Sequence, residues 1–86
     1  VNTVEAEILA LKALAFLAHS EEDLDRFVTL SGVSPADLRA QADQPEILAA
    51  VLDFILSDDA RVTEFCAEAA IDPRELHAAR RALPGA

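Results

Sequence analysis

The chain has 86 residues and a formal net charge of −9, from sixteen acidic residues and seven Lys or Arg. That length fits one domain and leaves no room for two, and the acidity argues against a polyanionic partner such as nucleic acid or anionic lipid. Apolar residues make up 52%, mostly Ala and Leu, with two Gly, four Pro and no Trp, Tyr or Met, so a largely helical chain with a modest core is predicted.

The capping residues divide the chain into six helical segments. The first is predicted from Thr3 to Ala18, capped by Asn2 or Thr3, with Glu5 and Glu7 at the positive end of its dipole. Val4, Ile8, Leu11, Ala15 and Ala18 form one stripe. Leu9, Ala13, Phe16 and Leu17 carry apolar surface around most of the cylinder, a pattern that predicts burial on all sides. His19 to Asp23 is a break and a restart. Ser20 is the cap of the second helix and Asp23 stands where a capping box places its acid. Leu24, Phe27, Val28 and Leu30 make its apolar stripe, and Gly32 stands at the C′ position.

Ser34-Pro35-Ala36-Asp37 starts a short third helix, predicted over Pro35–Ala42 and anchored by Leu38. Pro45 opens a fourth helix over about 45–56, rich in Ile, Leu, Val and Phe54. Ser57-Asp58-Asp59 restarts the chain, and Val62, Phe65, Cys66 and Ala69 line the fifth helix. Asp72-Pro73-Arg74-Glu75 opens the sixth, predicted to run to Ala82 before Leu83-Pro84-Gly85.

These restarts repeat. A gapless shift of 38 residues places Leu14 on Leu52, Phe16 on Phe54, Phe27 on Phe65, Pro35 on Pro73 and Leu38 on Leu76. The caps agree in kind, Ser20 with Asp58 and Ser34 with Asp72. A period in this range is the mark of a repeated supersecondary unit. The expected architecture is an all-α bundle of about six helices in a single domain over 1–86, built from two pseudo-repeated three-helix halves at approximately 8–43 and 46–81. The long first and fourth helices are expected to pack together, with the phenylalanines meeting between the halves.

Few residues are candidates for chemistry. His19 adjoins Ser20, but neighbours in sequence do not make a nucleophile–base pair without an orienting acid. His77 follows Leu76 on the last helix. One Cys and two His far apart do not match a zinc site. Cys66 shares a stripe with Phe65 and its repeat partner is Val28, so it reads as a small buried hydrophobe whose pKa Glu64 and Glu68 would raise. The acid runs 21–25 and 58–59 lack the spacing and glycine of a calcium loop and suit helix N-termini instead. Arg80 and Arg81 suit a helix C-terminus. No phosphate loop or nucleophile elbow is present. No catalytic, cofactor-binding or metal residue is therefore assigned, no cofactor is expected, and the chain is not expected to be an enzyme.

The lone thiol allows no internal disulfide and suits a reducing compartment, so a cytoplasmic location is expected. The longest apolar run, Ala13–Ala18, falls far short of the about 18 residues of a membrane span, and the acidic Glu5 and Glu7 do not suit a signal peptide. The sequence opens on Val1, from which loss of an initiator Met is expected.

The segments Ala6–Ala18 (AEILALKALAFLA), Gly32–Arg39 (GVSPADLR), Ala50–Asp59 (AVLDFILSDD) and Asp72–Leu83 (DPRELHAARRAL) resemble a family of small bacterial proteins known only as a domain of unknown function. The resemblance covers nearly the whole chain and implies a short helical protein. It carries over no activity and no functional residue. The order helix, Gly32 turn, Pro-started helix also has a helix-turn-helix outline, although Arg39 and Gln41 stand beside Asp37 and Asp43. The expected role is thus a non-enzymatic protein-protein interaction module, with a protein partner (a basic one included) or self-association. A DNA-binding or transcription-associated protein is the alternative, with nucleic acid disfavoured by charge and no membrane expected.

Overall fold

Five of the six described helices start after a residue whose side chain accepts a first-turn N–H. In the computed structural model, which describes residues 2–83, Asn2 rather than Thr3 caps the first helix, its Oδ1 accepting the Glu5 N–H at 2.8 Å. The described helices are α1 (Thr3–Ala18), α2 (Glu21–Ser31), α3 (Pro35–Ala40), α4 (Pro45–Leu56), α5 (Asp59–Ala69) and α6 (Pro73–Ala82). Ser20, Ser34, Asp58 and Asp72 accept first-turn N–H bonds at α2, α3, α5 and α6. Gln44, at α4, makes no side-chain cap, and Pro45 at the first turn removes one orphan donor there. The capping box at α2 is half formed. Ser20 Oγ accepts from the Asp23 N–H at 3.3 Å, while the Asp23 carboxylate turns to Arg61.

α3 stops at Ala40, two residues before the predicted Ala42, with Gln41 as its cap and a turn over 41–43 leading to Pro45. α2 closes on Gly32 at φ 75°, whose N–H donates to the Val28 carbonyl at 3.0 Å. α5 closes on Ala70 in the same left-handed region, at φ 58°. Pro84 and Gly85, read from sequence as the end of the sixth helix, lie outside the described residues.

α1 and α4 form the centre. α1 packs against α4, α6 and α2, and α4 also packs against α5 and α6. Leu17, Leu48, Leu52, Ile55 and Leu76 are fully buried there. Two edge-to-face aromatic pairs join the first three helices to the last three: Phe16–Phe65 with ring centroids 5.4 Å apart, and Phe27–Phe54 at 5.5 Å.

The prediction that α1 is buried on all sides is corrected. Its buried face is Ala6, Leu9, Ala10, Ala13 and Leu17. The stripe Val4, Ile8, Leu11, Ala15, Ala18 faces solvent. Three alanines on the inner face let α4 and α6 approach closely, whereas Val4, Ile8 and Leu11 would hold them off. Leu30 is likewise 72% exposed and takes no part in the α2 stripe, which Phe27 anchors.

Candidate functional site

The residues of possible chemistry are not brought together. His19 caps the end of α1 and is exposed, and His77 is exposed on α6. Neither imidazole makes a hydrogen bond or ion pair among the described residues. Cys66 is a buried free thiol on α5. Burial first, and then the carboxylates of Asp72 and Glu75, push its pKa up. The sequence neighbours Glu64 and Glu68, expected to do this, are replaced by acids from the start of α6, because the fold brings that helix end to the thiol. Asp72 itself titrates below the usual carboxylate range, since the Arg74 side chain and backbone N–H both donate to it.

In each acid run some of the carboxylates are taken by the chain's own groups. Glu22 pairs with Arg26 at 3.2 Å, Asp58 accepts the Ala60 N–H at 2.9 Å, and Asp23 faces Arg61 at 3.5 Å. Among the described residues no group of three or more His, Cys, Asp or Glu could hold a metal ion. Arg80 does more than complement the α6 dipole: its Nε donates to Asp53 Oδ1 at 2.6 Å and so ties α6 to α4.

Arg61 was invisible to pattern reading. It is the one buried charged residue among those described, at 7% exposure. Its Nη1 donates to the Phe54 carbonyl at 3.1 Å and its guanidinium lies 4.1 Å from the centroid of the Phe54 ring. The only available signal was opposite charge at the repeat offset, since Arg61 stands 38 residues after Asp23.

What the fold does present is an apolar ridge. Val4, Ile8 and Leu11 are 64%, 50% and 45% exposed on one face of α1, and the exposed Ala15 and Ala18 continue it. Over its first three turns α1 is thus partly inverted, with Val4, Ile8 and Leu11 outside and Ala6, Ala10 and Ala13 inside beside Leu9, and an exposed apolar patch is the informative case. A groove runs along each flank. One, of about 220 Å³, has Ile8, Leu9 and Ile71 as its floor and Glu5, Lys12 and Glu75 at its rim. The other, of about 420 Å³, lies between α1, α2 and α3 and is lined by Leu14, Ala18, Leu24, Leu38 and Arg39 among others. Arg39, the cation of the helix-turn-helix outline, thus stands at the edge of an apolar groove on a six-residue helix. Lys12, the only lysine, makes no ion pair among the described residues.

The architecture defines the class as an all-α bundle whose described residues form six helices and no strand. No described helix is long and apolar enough to cross a membrane. The chain belongs to the family described as "Protein of unknown function (DUF3572)", whose model matches residues 3–86. No curated protein and no solved structure matches it.

Proposed function

We propose that this chain is a non-enzymatic helical protein-protein interaction module that docks its partner along the exposed face of α1. The observation that carries this reading is the inverted helix: Val4, Ile8 and Leu11 face water while Ala6, Ala10 and Ala13 fill the core. Val4, Ile8 and Leu11 are 64%, 50% and 45% exposed, so covering each returns roughly half of the about 1.5–3 kcal/mol that full burial of such a side chain contributes. The non-enzymatic part rests on placement, with two exposed imidazoles that make no hydrogen bond among the described residues and a thiol whose pKa is raised.

The scaffold under this reading is one domain of two pseudo-repeats, 8–43 and 46–81. α2 and α5 begin and end 38 residues apart, and so do their left-handed caps Gly32 and Ala70. The same shift exchanges the two aromatic pairs, carrying Phe16 to Phe54 and Phe27 to Phe65. Residues related by the shift, Asp23 and Arg61, face each other at 3.5 Å, as they would beside a pseudo-two-fold axis. A lone reduced thiol suits the cytoplasm of a bacterium.

The test is in-cell crosslinking with partner identification, run in parallel with the wild-type chain and Leu11→Glu. Partners crosslinked by the first and lost by the second support the reading. The same partners in both, or none in either, rule out the α1 face.

A further inference from the structure

We infer that the occupant of the α1 face is a second copy of this chain, its α1 antiparallel to the first across a two-fold axis, with Lys12 of each copy seated between Glu5 and Glu75 of the other. This rests on the interaction-module reading above and names its partner.

The stripe Val4, Ile8, Leu11, Ala15, Ala18 steps by four and three residues in alternation, the spacing of a heptad seam. Its large residues stand at the N-terminal end and its small ones at the C-terminal end. An antiparallel partner therefore sets Val4 against Ala15 and Ile8 against Leu11 of the second copy, and the reciprocal pairs follow by symmetry. The layers are then symmetric about the axis, with Ile8 and Leu11 meeting twice at the middle and Val4 meeting Ala15 at each end. A parallel pair would stack Val4 on Val4 and Ala15 on Ala15, a wedge that gaps at one end. It would also bring Glu5 and Glu7 of both copies together, four carboxylates at two like helix ends.

Charge selects the same arrangement. Glu5 and Lys12 are seven residues apart and so lie on one flank of the seam. In the antiparallel pair each Lys12 crosses towards Glu5 of the other copy. The groove there has the form a lysine needs. Ile8, Leu9 and Ile71 take the aliphatic stem, and Glu5 and Glu75 at the rim take the ammonium. Within one copy Glu5 and Lys12 are about two helical turns, or roughly 10 Å, apart, too far to satisfy each other.

A seam of the 16-residue α1 spans about 24 Å and offers three large exposed apolar side chains per copy, a small contact beside the about 20–30 residues a side of a standard stable interface. The dimer is accordingly concentration-dependent, with a dissociation constant in the micromolar range or weaker. The net charge of −9 on each copy opposes association, and salt screens that repulsion.

The test is sedimentation equilibrium of the full chain from about 10 μM to about 1 mM, a range that brackets such a constant. The expected mass rises towards twice the 9.2 kDa of one chain. Leu11→Glu stays at the single-chain mass, and Lys12→Glu weakens association by about tenfold or more. The double exchange Glu5→Lys/Lys12→Glu restores association, whereas Glu7→Lys/Lys12→Glu does not. All of these positions are at the surface, and circular dichroism confirms that each variant stays helical. A single-chain mass at the top concentration overturns the inference, as does failure of the Glu5–Lys12 exchange. Restoration by the Glu7 exchange instead overturns the antiparallel register. A chain that stays monomeric while Leu11→Glu still loses a crosslinked partner of another sequence refutes the second copy and leaves the interaction module standing.

Discussion

Replacing Arg61 by Met tests whether a buried cation stabilises this fold or only occupies space in it. The stem stays on Phe54 and the charge goes. Four interactions disappear: the bond from Nη1 to the Phe54 carbonyl at 3.1 Å, the guanidinium over the Phe54 ring at 4.1 Å, and the approaches to Asp23 at 3.5 Å and Asp58 at 3.9 Å. A hydrogen bond from a charged donor contributes about 1.5–3 kcal/mol. The ring contact adds about 1–2 kcal/mol, and the partly exposed acids add under about 1 kcal/mol each. Against these stands the desolvation of the guanidinium, several kcal/mol before compensation. The Phe54 carbonyl keeps a donor, since Ser57 Oγ lies 2.6 Å away, and Asp23 and Asp58 retain access to water. The loss therefore falls below that of a fully buried pair. A destabilisation of about 2 kcal/mol is expected, lowering Tm by about 10 °C in a domain this small. Arg61→Ala adds a cavity and reaches about 3 kcal/mol. Urea denaturation of both, with an Asp23→Asn cycle giving a coupling of about 0.5–1 kcal/mol, measures each part. Arg61→Met within about 0.5 kcal/mol of the wild type would show that desolvation cancels the contacts, and the reasoning would fail.

Further outcomes are expected. Ala70→Gly relieves a left-handed alanine at φ 58° and raises the unfolding free energy measured in urea by about 0.5–1 kcal/mol. Gly32→Ala loses about 1 kcal/mol from backbone strain alone, because a Cβ there meets no atom within 4 Å. Leu17→Ala costs about 2–5 kcal/mol, whereas Leu11→Ala on the same helix costs under about 1 kcal/mol, measured by denaturation at a concentration where the chain is monomeric. Cys66, raised from 9.0, contributes stability that is present below that value and fades as pH climbs through its folded pKa. Asp72, lowered from 3.8, contributes stability that is present above that value and fades as pH falls through its folded pKa. Urea midpoints across pH are therefore flat with respect to these two groups between about 4 and 9. Cys66→Val flattens the alkaline limb alone, and a thiol reagent reacts with wild-type Cys66 slowly until the chain unfolds.

The boundaries were legible in the sequence because they are local. A serine, aspartate or asparagine before a helix satisfies donors two or three residues away, and a proline at the first turn, lacking an N–H, needs no acceptor. Asn2, Ser20, Ser34, Pro45, Asp58 and Asp72 therefore set the six helix starts without reference to the rest of the chain. The C′ glycine at Gly32 was equally local, but Ala70 was not, since only tertiary packing holds an alanine in the left-handed region.

Facing was not legible in α1, where apolar residues on nearly every side leave no moment to read. Two stripes competed, and the sequence reading gave burial to both. The tertiary structure chose the face of Ala6, Ala10 and Ala13, because close approach of α4 and α6 contributes more contact than the larger side chains could at a wider spacing. That choice left Val4, Ile8 and Leu11 outside and made the candidate docking surface. The burial of Arg61 was also settled there, because it needs Asp23 of α2 and Phe54 of α4 beside α5, and so were the acids beside Cys66, which the turn after α5 folds back towards the thiol.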